Sequence, residues 1–281
     1  MNKRIQYGKY IRNNTISKIF SSRMLVISLI QLVFQDTILK TFYEYAKQYK
    51  ENVYPFIFSL ICGNLTFIMI FGFCVLYMYS DAPFMNQKEM YNIVRCGRYK
   101  WLFSQEIMIS NLASFLVIYN YLIEVIRLFP RLSFANQWDR ITMSLSYGTI
   151  SADIAGFEMS VLQKYSPWMS ALYGIGMGIL AVNLVGHIMF TFSLLISRMA
   201  AVLVGSFFAI MPIITYNSSN IYGWVYYVSP FSWISPGYIV RSVSVPNLVY
   251  KIAACLVGAI ICICVDCIVI KNRDFDWTVE E

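Results

Sequence analysis

Residues 169–197 read MSALYGIGMGILAVNLVGHIMFTFSLLIS, a run of 29 positions without Asp, Glu, Lys or Arg. A helix needs about 20 predominantly apolar residues to cross the hydrocarbon core of a bilayer, so this run predicts a transmembrane helix. Similar segments lie on both sides of it, at residues 24–43, 55–79, 104–128, 199–217 and 247–270. The sequence therefore predicts an all-α membrane protein with six transmembrane helices.

The composition supports this fold class. Apolar residues occupy 58% of the 281 positions and charged residues 13%, whereas a soluble domain carries roughly 25% charged residues. The net charge of +7 comes from basic residues at the ends of apolar runs, which is the membrane pattern. A nucleic-acid partner is not expected, because such a partner requires a basic face on a soluble surface. The seven cysteines bracket no exposed loop, so no disulfide framework is predicted.

The orientation follows from the basic residues before the first predicted span. They are Lys3, Arg4, Lys9, Arg12, Lys18 and Arg23. Basic flanks stay on the cytosolic side, and the first flank usually dominates, so both termini are predicted to be cytosolic. Residues 1–23 then form an amphipathic helix on the membrane surface, residues 24–270 the transmembrane domain, and residues 271–281 a cytosolic tail. The alternative for residues 1–23 is a frayed tail whose charge only sets the topology.

The longest predicted cytosolic loop, residues 81–103, carries a helical stripe. Its members recur at i, i+3, i+4, i+7 and i+11, and they are Met90, Ile93, Val94, Gly97 and Trp101. Arg95, Arg98 and Lys100 lie off the stripe. This pattern predicts a short amphipathic helix, which is either a docking element for a soluble partner or a plain connector. Glu106, near the start of the third span, is placed to pair with Arg98 or Lys100.

Residues 218–246 form an unusual segment on the predicted outer side. They hold seven aromatic side chains together with Pro230 and Pro236, and the prolines interrupt any spanning helix. Aromatic residues favour the lipid–water interface. We therefore predict an extracellular re-entrant hairpin before the sixth span, whose backbone needs protein or water around it.

Polar side chains within the spans mark surfaces that avoid lipid. On the first span they are Ser28, Gln31, Gln35 and Asp36, and we expect this face to meet other helices or a wet cavity along a translocation path. Glu124 and Arg127, spaced i, i+3 on the third span, predict a local ion pair. His187 is predicted to be a buried histidine bonded to a neighbouring helix, with a proton relay as the alternative. Gly174 and Gly178 indicate close helix packing.

Several kinds of chemistry are missing from the sequence. It has no Gly-x-x-x-x-Gly-Lys-Ser/Thr phosphate loop, so we expect no ATP hydrolysis by this chain alone. One histidine cannot build a His-x-x-x-His metal site. Cys262, Cys264 and Cys267 are spread around the sixth span and are expected to pack as small apolar residues. The chain is therefore predicted to be neither an enzyme nor a holder of a metal or cofactor.

Two stretches resemble the ABC-2 type transporter permeases. Residues 93–102, IVRCGRYKWL, are similar to the coupling-helix stretch of small bacterial permeases, and residues 226–233, YYVSPFSW, are similar to the Pro-aromatic stretch before the last span. The order of the elements matches that family along nearly the whole chain. By size, the chain resembles the permeases of lantibiotic-immunity and antimicrobial-peptide exporters.

The resemblance implies a transport subunit of an ATP-driven exporter in a bacterial plasma membrane. The chain would pair with a second permease, as a homodimer or heterodimer, and with two copies of a cytosolic ATPase that bind ATP and Mg. An amphipathic substrate such as a peptide would cross. The residues implied to couple to the ATPase are Met90, Ile93, Val94, Arg95, Gly97, Arg98, Lys100, Trp101 and Glu106, and those implied to form an outer gate are Trp224, Tyr227, Phe231 and Trp233.

Two alternatives from other classes remain open. An intramembrane enzyme needs paired catalytic groups on facing helices, and a single histidine without an adjacent acidic pair argues against it. Asp36 and Asp266 are predicted near opposite membrane faces, too far apart for a dyad. An ion-coupled carrier would have broken spans in two matched halves, which the sequence does not display.

Overall fold

The computed structural model describes residues 3–84, 87–147, 159–217, 223–239 and 246–272. Within these ranges the regular elements are α-helices and short 3-10 turns, so the predicted all-α class is confirmed. The helices are α1 (Lys3–Ile19), α2 (Ser22–Tyr49), α3 (Phe58–Ile61), α4 (Leu65–Tyr79), α5 (Gln87–Cys96), α6 (Arg98–Leu128), α7 (Arg140–Ser146), α8 (Met159–Lys164), α9 (Pro167–Leu195), α10 (Arg198–Asn217) and α11 (Leu248–Asn272).

Five helices in the described part of the chain are long and apolar enough to cross a membrane, namely α2, α6, α9, α10 and α11. Each corresponds to one of the predicted spans. Their side chains remain extensively apolar where the bundle leaves them exposed, as at Leu203 and Ile126, which are 70% and 75% exposed. Exposed apolar surface of this extent suits lipid as the surrounding solvent. The chain is therefore a multi-pass membrane protein.

The second predicted span, residues 55–79, is not one helix. It consists of the single turn α3 and the 15-residue α4, separated by residues 62–64. Upstream, the backbone of Val53 pairs with Arg131 and Ser133 at 3.0 and 2.9 Å, which holds this segment extended. Asn64 then starts α4, because its side chain accepts a hydrogen bond from the backbone N–H of Phe67 at 3.1 Å. The break thus has identifiable local causes.

Helix α9 lies at the centre of the bundle and contacts α4, α6, α10 and α11. Gly174 and Gly178 make this packing possible. A Cβ atom at Gly174 would lie 2.5 Å from the Ser59 side chain and 2.5 Å from the Tyr121 hydroxyl, and one at Gly178 would lie 3.3 Å from Val117. The predicted small face is therefore the surface on which α3 and α6 pack.

Helix α1 packs beside the beginning of α6. The Tyr7 hydroxyl donates to the Lys100 carbonyl at 2.6 Å, and the Asn111 side chain donates to Thr15 at 3.4 Å. The two contacts advance along both helices in the same direction. Burial, and secondarily the neighbouring Cys96, raise the pKa of Tyr7 above its ordinary value. The predicted amphipathic helix thus has a protein neighbour as well as an exposed face.

Helices α5 and α6 meet at Gly97. Its φ of 87° lies in the region that favours glycine, and it ends one helix and begins the next. The third predicted span, residues 104–128, therefore starts earlier, at Arg98.

We name the two ends of the bundle after the short helices there: the α5 end, where α6 begins and α9 ends, and the α7 end opposite.

A small aromatic subdomain covers the α7 end. The Trp138 indole donates to the Tyr165 carbonyl at 2.8 Å, and its ring meets Tyr54 edge-on at 6.0 Å. Asp139 caps α7 by accepting from the backbone N–H of Thr142 at 2.9 Å. Burial raises the pKa of Asp139, although hydrogen bonds from Thr142 and Tyr54 oppose the rise.

Residues 223–239 form three 3-10 turns, Gly223–Tyr227, Phe231–Trp233 and Pro236–Ile239, which we call the aromatic hairpin. It packs among α4, α9 and α10. The Tyr226 hydroxyl donates to the Thr215 carbonyl at 2.9 Å, and Ile234 is fully buried next to Gly178. The remaining parts of the predicted hairpin, residues 218–222 and 240–245, lie outside the described residues.

Candidate functional site

The surface of α5 is the first candidate site. Tyr91 and Val94 are 73% and 75% exposed, whereas Ile93 is only 6% exposed and attaches the helix to the bundle. Arg95 and Lys100 are also exposed. We call Tyr91, Val94 and Arg95 the α5 surface; Lys100 lies beyond Gly97, in the first turn of α6. Met90 lies on α5, but its side chain is outside the described part of the chain.

Three other residues of the predicted coupling stretch contact the bundle, two of them buried and Arg98 exposed. Arg98 donates to the carbonyls of Ile270 and Lys271 at the end of α11, both at 3.4 Å. Trp101 is fully buried, because α6 already begins at Arg98 and turns the indole toward α9. Glu106 is 5% exposed and pairs with His187, not with Arg98 or Lys100 as the sequence suggested.

The predicted polar face of α2 is turned toward α6. The backbone carbonyl of Ser28, not its side chain, accepts a hydrogen bond from the Tyr119 hydroxyl at 3.1 Å, and the Gln35 amide donates to the Asn120 carbonyl at 3.2 Å. Gln31 and Gln35 are fully buried. Gln31 lies next to the Cys74 thiol of α4, and neither side-chain atom has a hydrogen-bond partner of normal geometry, so Gln31 is a buried amide whose hydrogen bonds are incompletely satisfied.

The ion pair predicted within α6 is not formed. Arg127 pairs with Asp36 of α2, and Glu124 is fully buried, where one carboxylate oxygen accepts the backbone N–H of Ile57 at 3.2 Å. Sequence spacing suggested the neighbours on one helix, but α2 offers Arg127 a partner from another helix. The Glu124 carboxylate instead accepts a backbone donor at the broken second span.

The four residues assigned to an outer gate fall into two classes. Trp224 is 62% exposed and Tyr227 39% exposed, and the Tyr227 ring meets Tyr250 of α11 at 5.0 Å. Phe231 and Trp233 are buried. Phe231 packs edge-on against Phe71 at 6.3 Å. The buried pair anchors the aromatic hairpin, and only the exposed pair is available at its surface.

Sequence reasoning missed a cluster of ionisable groups toward the α5 end. Glu106 of α6, His187 of α9 and Asp266 of α11 come together there, and none is more than 5% exposed. The sequence did contain a clue to this cluster. Glu106 lies eight residues after the start of α6, and His187 and Asp266 lie eight and six residues before the ends of α9 and α11, so all three are at a similar depth from the α5 end. The statement that the histidine has no adjacent acidic pair is therefore wrong.

A buried lysine was also missed. Lys251 at the beginning of α11 is fully buried, and its ammonium group donates to the Tyr173 hydroxyl at 3.1 Å. That hydroxyl in turn donates to the Trp233 carbonyl at 2.8 Å. No carboxylate pairs with Lys251 among the residues that the structure describes.

Comparison with known proteins adds no relative: no family model, no curated protein and no solved structure matches this chain. The functional argument therefore rests on the residues and contacts described above.

Proposed function

We propose that the chain is the membrane-spanning permease subunit of an ATP-driven ABC-2 type exporter. It would sit in a bacterial plasma membrane with cytosolic termini, beside a second permease, and two cytosolic ATPase subunits would bind ATP and Mg. The observation that carries this proposal is the α5 surface. A short helix between two apolar helices leaves Tyr91 and Val94 almost entirely uncovered at one end of the bundle.

The chemistry of this surface suits a protein partner. An exposed aromatic and an exposed aliphatic side chain form an apolar centre, and the exposed Arg95 lies beside it on the same helix. Interfaces combine an apolar core with a polar rim, and complementary charge guides the partner to it. The matching surface on an ATPase would be an apolar groove with an acidic edge.

The contacts between the α5–α6 junction and the bundle would transmit a movement of α5 to the spanning helices. Gly97 joins α5 directly to α6. Arg98 then reaches the last carbonyls of α11, and Trp101 meets Phe190 of α9 with ring centres 6.3 Å apart. Movement of α5 by nucleotide-driven closure of the ATPases would therefore shift α6, α9 and α11 together, because packed helices move as units.

The interior supports an amphipathic substrate such as a peptide. Between α2 and the helices around it lie the buried amides of Gln31 and Gln35, which a movement of α2 would uncover, and the aromatic hairpin offers the exposed rings of Trp224 and Tyr227. A substrate with polar and apolar parts would find partners for both. The lantibiotic-type subgroup remains part of this proposal and rests on the sequence resemblance.

The proposal predicts that a cytosolic ATPase is encoded by a neighbouring gene, and the test is its capture by co-purification of the co-expressed proteins. Val94→Glu and Arg95→Glu should each reduce the recovered ATPase and its ATP turnover by roughly tenfold or more. Val94→Glu places a charge at the apolar centre, and Arg95→Glu reverses the sign of the charge beside it. Lys47→Glu is the matched control, since it reverses an exposed charge on α2 near the opposite end. Normal capture by both α5 variants, at normal membrane yield, would show that α5 is only a connector and would put the ion-coupled carrier first.

A further inference from the structure

The cluster of Glu106, His187 and Asp266 joins three helices through ionisable side chains. The Glu106 carboxylate contacts Nδ1 of His187. Asp266 is close enough to Glu106 to interact with it electrostatically, and its Oδ2 accepts from the Thr191 hydroxyl at 2.9 Å. Oδ1 of Asp266 and both carboxylate oxygens of Glu106 are buried without a hydrogen-bond donor. The three residues are 5%, 2% and 0% exposed. Such groups are rare inside membrane proteins unless they serve a function.

The charges of this cluster do not balance without an added proton. A protonated His187 would offset one carboxylate, and the ion pairs in the described part of the chain give neither Glu106 nor Asp266 a Lys or Arg partner. Two carboxyl groups can share a hydrogen bond only if one carries a proton, because an ionised carboxylate only accepts. Two buried carboxylates beside each other repel, and a proton bound between them removes that repulsion.

The surrounding groups leave this imbalance in place. On α11 the titratable neighbours are Cys262 and Cys267, which interact electrostatically with both carboxyl groups. From α4, Tyr79 packs against Gly186, and its hydroxyl is already donated to the Ile109 carbonyl at 3.0 Å. None of these three side chains carries a positive charge.

We propose that Glu106, His187 and Asp266 form a proton-binding site shared by α6, α9 and α11. The site goes beyond the proposed ATP-driven function, which requires no titratable group at this depth, and it stands whether or not an ATPase binds. A proton is favoured over a metal ion because no group of three or more His, Cys, Asp or Glu side chains in the described ranges could hold a metal.

The site is held in place by close helix packing. A Cβ atom at Gly186 would lie 2.7 Å from Ile109 and 2.8 Å from the Tyr79 ring, so the glycine lets α9 approach α6 and brings the imidazole to Glu106. One turn further along both helices, the Ser110 hydroxyl donates to Asn183 at 3.0 Å. The α6–α9 interface thus carries two successive polar layers, of which the ionisable one lies nearer the α5 end.

Infrared spectroscopy of the purified full chain in lipid nanodiscs tests the proposal, because a protonated carboxyl and a carboxylate absorb separately. Spectra are compared between about pH 5 and pH 9, so that a proton released over this range is detected. We expect a protonated-carboxyl band near neutral pH that loses intensity in Glu106→Gln or Asp266→Asn. Glu124→Gln removes a further fully buried carboxyl of the described part of the chain and should leave this part of the band unchanged.

His187→Gln supplies a second readout that does not depend on the carboxyl variants folding. If the imidazole shares the proton, its removal should change the proton affinity at least about tenfold and move the loss of the band by about one pH unit. A purely structural histidine would leave that pH unchanged. The proposal is overturned if the band is unaffected by folded Glu106→Gln and Asp266→Asn, or if its pH dependence in folded His187→Gln equals that of the original chain.

Discussion

Gly174→Ala should destabilise the bundle, although alanine favours helix more than glycine does. The new methyl group would lie 2.5 Å from the Ser59 side chain and 2.5 Å from the Tyr121 hydroxyl, with the Ser59 backbone at 3.3 Å. Overpacking of this kind typically costs about 1–3 kcal/mol. The gain in helix propensity offsets about 0.5–1 kcal/mol of that cost, so the measured loss of stability combines both effects.

Gly176→Ala separates the two effects. Gly176 lies on the same helix, and a Cβ atom there would have nothing within 4 Å. This variant gains the same propensity without the clash. The difference in unfolding free energy between the two variants therefore reports the clash alone, and we expect it to be about 1–3 kcal/mol.

The assay is equilibrium unfolding by a denaturing detergent in mixed micelles, followed by tryptophan fluorescence. Tyr121→Phe added to Gly174→Ala should recover part of the loss, because it removes one of the two close atoms, and a double-mutant cycle measures that recovery. Equal stability of Gly174→Ala and Gly176→Ala would refute the reasoning, since the close approach of α3 and α6 to α9 would then have no energetic consequence.

Three further predictions use the same assay. Asp36→Asn should lower stability, because it leaves Arg127 of α6 without its carboxylate partner, and exchanging the two charges should restore part of the loss; unchanged stability would show that the pair contributes nothing. Burial raises the pKa of Asp139, so its contribution to stability should be greatest in acid and should decline as pH rises from about 4 through the folded pKa. Asp139→Asn should lose this pH dependence of stability. If the variant and the original chain show the same pH dependence, the expectation is wrong. Lys251→Met should keep or raise stability, because it removes a buried ammonium whose hydrogen bond goes to the uncharged Tyr173 hydroxyl, and a large loss would indicate an unseen partner.

The long apolar helices were accessible to sequence reasoning because lipid imposes one requirement on the entire segment. Helix α10 begins at Arg198 and α11 at Leu248, each within a residue of the prediction. The broken second span was harder to foresee. Asn64 is a common helix-starting residue, but the extended backbone before α3 depends on a pairing between Val53 and Ser133, which are 80 positions apart in the sequence.

The candidate sites show the same division between local and distant causes. The amphipathic α5 was predictable from spacing, whereas the stripe that placed Trp101 on it failed because Gly97 ends the helix. Glu106 was assigned to basic residues nearby in sequence, yet its partner His187 is contributed by α9. Spacing predicts which side chains share a helical face, but it carries no information about which face of another helix will meet them.

The α5 surface and the proton site are connected through the first turns of α6. Arg98 and Glu106 are eight residues apart, about 12 Å along a helix, and both reach α11, one at its terminal carbonyls and the other at Asp266. A bound proton would change the second contact between α6 and α11, while movement of α5 would act on the first. Loss of ATPase capture in the α5 variants together with a titrating cluster would therefore favour an ATP-driven permease whose helix contacts respond to protons. A titrating cluster with normal capture would favour an ion-coupled carrier, because the proton site would then be the remaining candidate for an energy source.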